Sequence, residues 1–227
     1  MNAGISYLRR VLSFAWLYLK RPFLLPRVRR PVLERIDGVP LVSLPDVLNP
    51  VVFRSGELLA RTVAASSLAE PPGRALDMGT GSGVGAVFLA RRGWQVVAVD
   101  LNPEAVRCAR INVLLNRLED RVEVRQGDLF GPVAGERFDL ILFNPPFFRG
   151  EPKGLFDLAW RSTDVMERFA AGLPDALTED GRVLLLLSTD GDSEGMLKAL
   201  ATHGLKVEPA VRRDYGNEVM TIYCVRR

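Results

Sequence analysis

The sequence predicts a doubly wound α/β fold, and three observations carry that expectation. From Arg74 onward, short apolar runs of strand type alternate with helical patterns, the order that builds a mostly parallel sheet with helices on both faces. The first of these strands, ALDM, runs into a glycine-rich turn, GTGSGVG, at residues 79–85. The fourth, Phe138 to Phe143, stops abruptly at Asn144-Pro145-Pro146-Phe147. Neither proline has an N–H for a sheet ladder, and both hold the preceding backbone extended, so the strand ends in a rigid corner.

At 227 residues the chain has the length of one domain with an extension, enough for a sizeable core. Its 48% hydrophobic and 25% charged content is ordinary for a globular protein. The net charge of +3 is unevenly spread. Residues 1–36 carry eight Lys or Arg against Glu34 alone, a local +7, which leaves −4 for the remainder. Cys108 and Cys224 lie far apart with no C-x-x-C pair, which argues against a zinc site and a disulfide scaffold and fits a reducing cytoplasm, the expected localisation. The lone His203 anchors no His-rich metal site, and no metal is expected.

Two regions follow: a basic N-terminal extension over residues 1–49 and a catalytic domain over 50–227. Residues 5–21 have helical periodicity, with Ser6, Arg9, Arg10, Ser13 and Lys20 on a polar face. The apolar run from Phe14 to Leu19 is far short of the roughly 20 residues a membrane span needs. Arg9-Arg10 precede it as in a signal peptide, but no small-x-small cleavage site follows. The stretch KRPFLLPRVRRP is too rich in proline for a helix. Three readings of the basic segment stay open: a helix docked on its own domain, a membrane-surface helix, and an arm on RNA phosphates.

Taken in order, IDGVPLV (36–42) reads as a short hairpin with Asp37-Gly38 as its turn. A helix opens near Ser55, a plausible N-cap, with Leu58, Leu59, Val63 and Leu68 on one side, and Pro71-Pro72-Gly73 ends it. Then come the strand ALDM, the helix VGAVFLARRG, the strand QVVAVD and the helix PEAVRCARINVLLNR, with Pro103 in its first turn and Asn102 suited to cap it. RVEVRQGD and FDLILF are strands. The helix TDVMERFAAGLPDAL, the strand RVLLLLST and the helix SEGMLKALATHG follow. The last two strands, LKVEPAVRR and EVMTIYCVRR, are joined by the short loop 214–217 and should be antiparallel.

The strand ends carry the chemistry, because ligands of open α/β sheets bind beyond the carboxyl ends of the strands. Gly79, Gly81, Gly83 and Gly85 let backbone approach a ligand. Asp100 ends the second strand about 20 residues later, where an acid can hold both ribose hydroxyls. This pair does not separate NAD from S-adenosylmethionine. Asp128, after the third strand, could accept a hydrogen bond from an adenine amino group, with Leu129 covering the ring. At the corner, the Asn144 side-chain oxygen and the Pro145 carbonyl could accept the hydrogens of a planar N–H₂, with Phe147 over its face and Phe148 in the core.

LDMGTGSG (76–83), VVAVDLNPEAV (96–106), GDLF (127–130) and FNPPF (143–147) together resemble the class I S-adenosylmethionine-dependent methyltransferases, in the small-domain group with an N-P-P-[FY] corner. The resemblance runs from about Pro50 to the C-terminus and implies a seven-stranded, Rossmann-like sheet, mostly parallel with an antiparallel C-terminal strand. It implies S-adenosyl-L-methionine as cofactor, held by Asp77, Gly79, Thr80, Gly81, Gly83, Asp100, Leu101, Asp128, Leu129 and Asn144. Asn144, Pro145, Pro146 and Phe147 would handle the acceptor. The layout looks most like short HemK-type glutamine methyltransferases that modify release factors, partly because VFRSGE resembles a segment that closes over cofactor. Two features depart from that pattern: Phe147 stands where Tyr is usual, and LAWRSTDVMERF replaces a Gly-Gly stretch.

The expected function is therefore N-methylation of an amide or amino nitrogen, first a protein glutamine. Alternatives are an RNA base amino group, with the basic arm as anchor, or a small molecule. An NAD-dependent oxidoreductase and a membrane-docked binding module are the readings from other classes. Partners would be a glutamine-bearing protein such as a release factor, or RNA, with room for a small activating subunit. No cysteine or histidine is required, since the sulfonium methyl is already electrophilic and the site mainly supplies proximity and alignment.

Overall fold

The computed structural model describes residues 27–227. The predicted helix over 5–21 lies outside them. Seven strands form one sheet: β3 (Arg74–Met78), β4 (Gln95–Asp100), β5 (Val122–Gln126), β6 (Phe138–Phe143), β9 (Leu177–Ser188), β10 (Lys206–Asp214) and β11 (Val219–Arg226). Their order is β10-β11-β9-β6-β3-β4-β5. β11 runs antiparallel to both β9 and β10, while β3, β4, β5, β6 and β9 pair in parallel. The expected sheet is thus the observed one. The four motif-bearing strands are adjacent and point the same way, so their carboxyl ends share one edge.

Among the described residues, five helices cover the faces: α1 (Ser55–Ala65), α2 (Val84–Arg91), α3 (Pro103–Leu115), α4 (Val165–Ala176) and α5 (Ser193–Thr202). Strands buried on both sides are continuously apolar, as Leu140 to Phe143 and Val183 to Leu187 are here. Leu140, Leu142, Leu184 and Leu186 face one layer with Leu58, Val63, Val87 and Phe88. Ile141, Phe143, Val183 and Leu185 alternate to the other, with Met166, Phe169, Leu173 and Leu200. Trp94 is fully buried where α2 turns into β4, and its indole N–H donates to the Ala69 carbonyl at 3.0 Å. Among the described residues no helix is long and apolar enough to cross a membrane.

The hairpin is longer than the sequence indicates: β1 (Val32–Ile36) pairs antiparallel with β2 (Val39–Ser43). Its turn residues Asp37 and Gly38 both have positive φ, as a two-residue type I′ turn requires. Asn112 on α3 treats β2 as a neighbouring strand would. Its Nδ2 donates to the Val42 carbonyl at 2.7 Å, and its Oδ1 accepts the Val42 N–H at 2.6 Å. Asn116 Nδ2 adds a bond to the Pro40 carbonyl. These bonds satisfy an otherwise open strand edge and seat the hairpin on the catalytic body.

Three local expectations change. Ser55 is not the N-cap of α1: Arg54 holds that place at φ 60 with no side-chain cap, and Ser55 is the first helical residue, its hydroxyl committed elsewhere. α1 stops at Ala65, and a short 3-10 turn, Ser67–Ala69, precedes the prolines. β9 begins at Leu177, five residues before the run RVLLLLST, with a register shift opposite Phe138–Leu140. Two paired two-residue strands, β7 (Phe148–Arg149) and β8 (Arg161–Ser162), have no counterpart in the sequence reading. They frame a segment with two glycines that reads as loop in sequence.

Candidate active site

A cavity of about 320 Å³ opens at the carboxyl edge of the sheet. Asp77, Gly79, Thr80, Gly81, Asp100, Leu101, Asp128, Leu129, Asn144 and Pro146, all expected site residues, line it together. Gly79 and Asn144 therefore face one space. Gly83 and Pro145 are not in the lining. Phe147 departs further from expectation. It is 9% exposed, packs in the core, and does not line the cavity; its carbonyl accepts the Asp192 N–H at 2.9 Å. Phe148 is half-buried beside Trp160, at 6.4 Å between ring centroids.

The glycine turn has two jobs. Gly79 and Gly81 have φ of 61° and 57°, and an added Cβ at either would meet no atom closer than 3.6 Å, so backbone faces open cavity there. Gly83 and Gly85 serve packing. A Cβ on Gly83 would lie 2.9 Å from Ala109 Cα on α3, and one on Gly85 would lie 2.7 Å from Asp77 Oδ1.

Asp77 is 4% exposed and organises the turn. Its Oδ2 accepts from Thr80 Oγ1 at 2.6 Å and from the Ala86 N–H at 2.8 Å. Burial nevertheless pushes its carboxyl up to about 6, against the pull of those bonds, and the nearby Asp100 adds to the rise. Asp100 Oδ2 accepts the Gly81 N–H at 2.8 Å and its Oδ1 the Asn102 N–H at 2.9 Å. Burial raises it too, opposed by these backbone donors. Asn102 caps α3 as expected, its Oδ1 accepting from the Glu104 N–H. Two desolvated carboxylates on one cavity make a cationic ligand favourable there.

At the rim, Leu101 is 48% exposed, and Leu129 takes a left-handed φ of 45°, an uncommon conformation for a leucine. Asp128 is ion-paired with Arg168 of α4 at 2.5 Å, and Arg168 also reaches Asp164 at 3.1 Å. The cavity thus meets a carboxylate whose oxygens are shared with a guanidinium.

At the corner, Asn144 Nδ2 donates to Ser55 Oγ at 3.0 Å, while its Oδ1 is buried with no hydrogen-bond partner. Leaving a buried acceptor unpaired costs free energy, and such groups recur where a ligand completes them. The donor set fits a cofactor carrying positive charge and ribose hydroxyls, because it combines two acids, open glycine backbone and a free carbonyl oxygen.

Sequence reasoning missed several contributors. Asp46 to Pro50 with Phe53, Ser55 and Gly56 roof one side of the cavity; only the VFRSGE part is expected from sequence. On the other side, Pro152, Leu158 and Ala159 belong to the segment between β7 and β8, and Arg161 opens β8. The two flaps meet through Phe53, whose ring lies 5.1 Å from Trp160 and 6.1 Å from Phe156. Arg149 ties this second flap down, pairing with Asp192 at 2.5 Å and Glu167 at 2.7 Å. Arg161 Nε is buried and outside hydrogen-bond alignment, although Asp157 Oδ2 is 3.2 Å away. Cys108 is fully buried, its Sγ donating to the Val42 carbonyl at 3.3 Å, and burial pushes its thiol up to about 11, which leaves it unreactive.

A glycine turn, a ribose-type acid and an N-P-P-F corner on one edge of a seven-stranded sheet with a single reversed strand define a class I S-adenosylmethionine-dependent methyltransferase. A family model described as the methyltransferase small domain matches residues 49–209, and the chain belongs to that family. It is 36% identical over 160 residues to a ribosomal RNA small subunit methyltransferase C of Alcanivorax borkumensis, covering 70% of this chain and 45% of that protein. It is 34% identical over 181 residues to a ribosomal protein uL3 glutamine methyltransferase of Bradyrhizobium diazoefficiens, covering 69% and 57%. The chain thus spans about half the length of these two relatives. In fold it resembles the ribosomal protein L11 methylase of Lactobacillus delbrueckii subsp. bulgaricus, with a TM-score of 0.61 at 18% identity over 86% of this chain and 99% of that one.

Proposed function

We propose that this protein uses S-adenosyl-L-methionine to methylate a carboxamide nitrogen, that of a protein glutamine side chain. The observation that carries the proposal is Asn144 Oδ1: buried, without a partner, and on the same cavity as Gly79 and Asp100. When bound, the cofactor supplies a methyl group on a sulfonium. Asp77 and Asp100 favour a cation in the cavity, Gly79 and Gly81 let backbone approach it, and Leu101 and Leu129 cover its ring. Asn144 Oδ1 accepts one hydrogen of the target N–H₂ and turns its lone pair toward the methyl carbon. The N–C bond forms as the sulfur–methyl bond breaks, positive charge passes to the nitrogen, where Asn144 Oδ1 stabilises it, and the surplus N–H proton is lost to solvent after transfer. The likeness to a glutamine methyltransferase supports this choice of acceptor.

A second reading keeps the chemistry and takes an RNA amino group as acceptor; the +7 of residues 1–36 and the likeness to a ribosomal RNA methyltransferase favour it. One experiment decides between them. Extract from a strain lacking this protein is incubated with purified enzyme and radiolabelled methyl donor. Label recovered in protein as N5-methylglutamine is the expected result. Label confined to RNA or to small molecules overturns the glutamine assignment.

A further inference from the structure

The structure assigns Ser55 as the residue that orients Asn144 for reaction, an inference that rests on the proposed role of Asn144. An asparagine amide has a donor end and an acceptor end of nearly equal size, and a half-turn about its last side-chain torsion exchanges them. Only one of the two orientations presents an acceptor to a substrate N–H₂. The prolines that follow fix the backbone of the corner but not this torsion. Something must therefore hold the Nδ2 end away from the substrate.

Ser55 is the group in place to do so. It comes from the first turn of α1, 89 positions before Asn144, and its Oγ accepts from Asn144 Nδ2 at 3.0 Å. It is 5% exposed and lines the cavity beside Asn144. Its hydroxyl does not cap the helix, although a serine at a helix start ordinarily does so. The local backbone is bent to bring it there: Arg54 sits at φ 60, and the Ser55 N–H closes onto the Phe53 carbonyl at 2.6 Å. A serine hydroxyl can accept from Nδ2 or donate to Oδ1; here it accepts from Nδ2, and the amide is held in the orientation that leaves Oδ1 without a partner. Ser55 touches no reacting atom in this scheme; it acts through Asn144 and is a positioning residue.

The test uses full-length protein labelled with ¹⁵N-asparagine. The Asn144 side-chain N–H₂ pair is identified by its loss in Asn144→Ala. In Ser55→Ala this pair should shift and exchange its hydrogens faster, and in Ser55→Thr it should stay near its native position. In methyl transfer, Ser55→Ala should lose about tenfold or more in kcat, with acceptor KM and cofactor Kd within twofold, and Ser55→Thr should recover most of the rate. If Ser55→Ala leaves the Asn144 resonances and exchange unchanged, the inference fails, whatever happens to the rate. If the resonances move but kcat does not, orientation by Ser55 is irrelevant to turnover and the inference also fails. The spectra need no acceptor, so they test the Ser55 contact even if the glutamine assignment is wrong. Should Ser55→Ala not fold by circular dichroism, Ser55→Cys keeps the size, weakens the acceptor and gives the same contrast.

Discussion

Asn144 is readable in sequence because its neighbours are two prolines, whose constraints are covalent and local. Its replacement by alanine removes the free acceptor but no group around the glycine turn. We expect kcat to fall about 10²–10³-fold, with cofactor affinity by calorimetry within twofold; a variant keeping most of its rate would exclude the assigned role. Asp77 makes a different prediction. Its carboxyl stands at about 6 in the fold against an ordinary value of 3.8. The fold therefore holds that proton more tightly than the unfolded chain does, so the stability this one group contributes is fully present below about pH 4 and is lost as pH rises through about 6. The loss is at most roughly 3 kcal/mol. In urea denaturation of ligand-free protein, the stability difference between the native chain and Asp77→Asn, whose amide oxygen can accept the same two bonds, should show that decline across the window. Affinity for the cationic cofactor should move the other way over that window, rising as the carboxylate ionises. Arg161 is not legible as a site residue in the sequence, and Ser55 only as a member of VFRSGE, because their contacts exist only in the tertiary structure. Phe147 misleads for a related reason: an aromatic after two prolines reads as a lid, but the loop at Gly191–Asp192 packs it inward.

Among the elements, the strands of the central sheet other than β9, which starts five residues early, are legible nearly to the residue. β4 and β6 have the boundaries expected from QVVAVD and FDLILF, because a strand buried on both faces needs an unbroken apolar run of limited length. β7, β8 and the flap between them are not legible. Two-residue strands carry no period, and the segment is held by ion pairs of Arg149 with partners 18 and 43 positions away. The contact of α2 with α3 gives a sharp element-level test. Gly83 starts α2 at φ 80, and an added Cβ would press on the α3 backbone at Ala109. Gly83→Ala should destabilise the protein by about 1–3 kcal/mol and weaken cofactor binding, because α2 and the turn would move together. Unchanged denaturation and affinity would mean that the helices can part without cost.

At the level of the whole molecule, charge and catalysis are separated along the chain. Arg9, Arg10, Lys20 and Arg21 are the charged residues of positions 1–26, so residues 27–227 sum to −1 out of the total +3. Exchanging those four for glutamine should leave cofactor affinity unchanged. It should weaken non-specific binding to an RNA duplex and flatten its salt dependence, since each phosphate contact contributes roughly −0.7 to −0.9 to the slope of log K against log salt. An unaltered slope would exclude these four residues as phosphate contacts.

The division goes further than charge. The glycine turn, the acids Asp77, Asp100 and Asp128, and Leu101 and Leu129 all come from the chain up to residue 129, while the corner and the second flap come after Phe143. The short linker near Ala134 joins the two portions. A protein laid out this way lends itself to exchange of parts: relatives with other acceptors could trade their latter portions for this one while each keeps its inherited donor end. Three contacts across the joint, the bond between positions 55 and 144, the pair of Asp128 with Arg168 and the packing of Phe53 on Trp160, would then have to be matched by hand in any such hybrid.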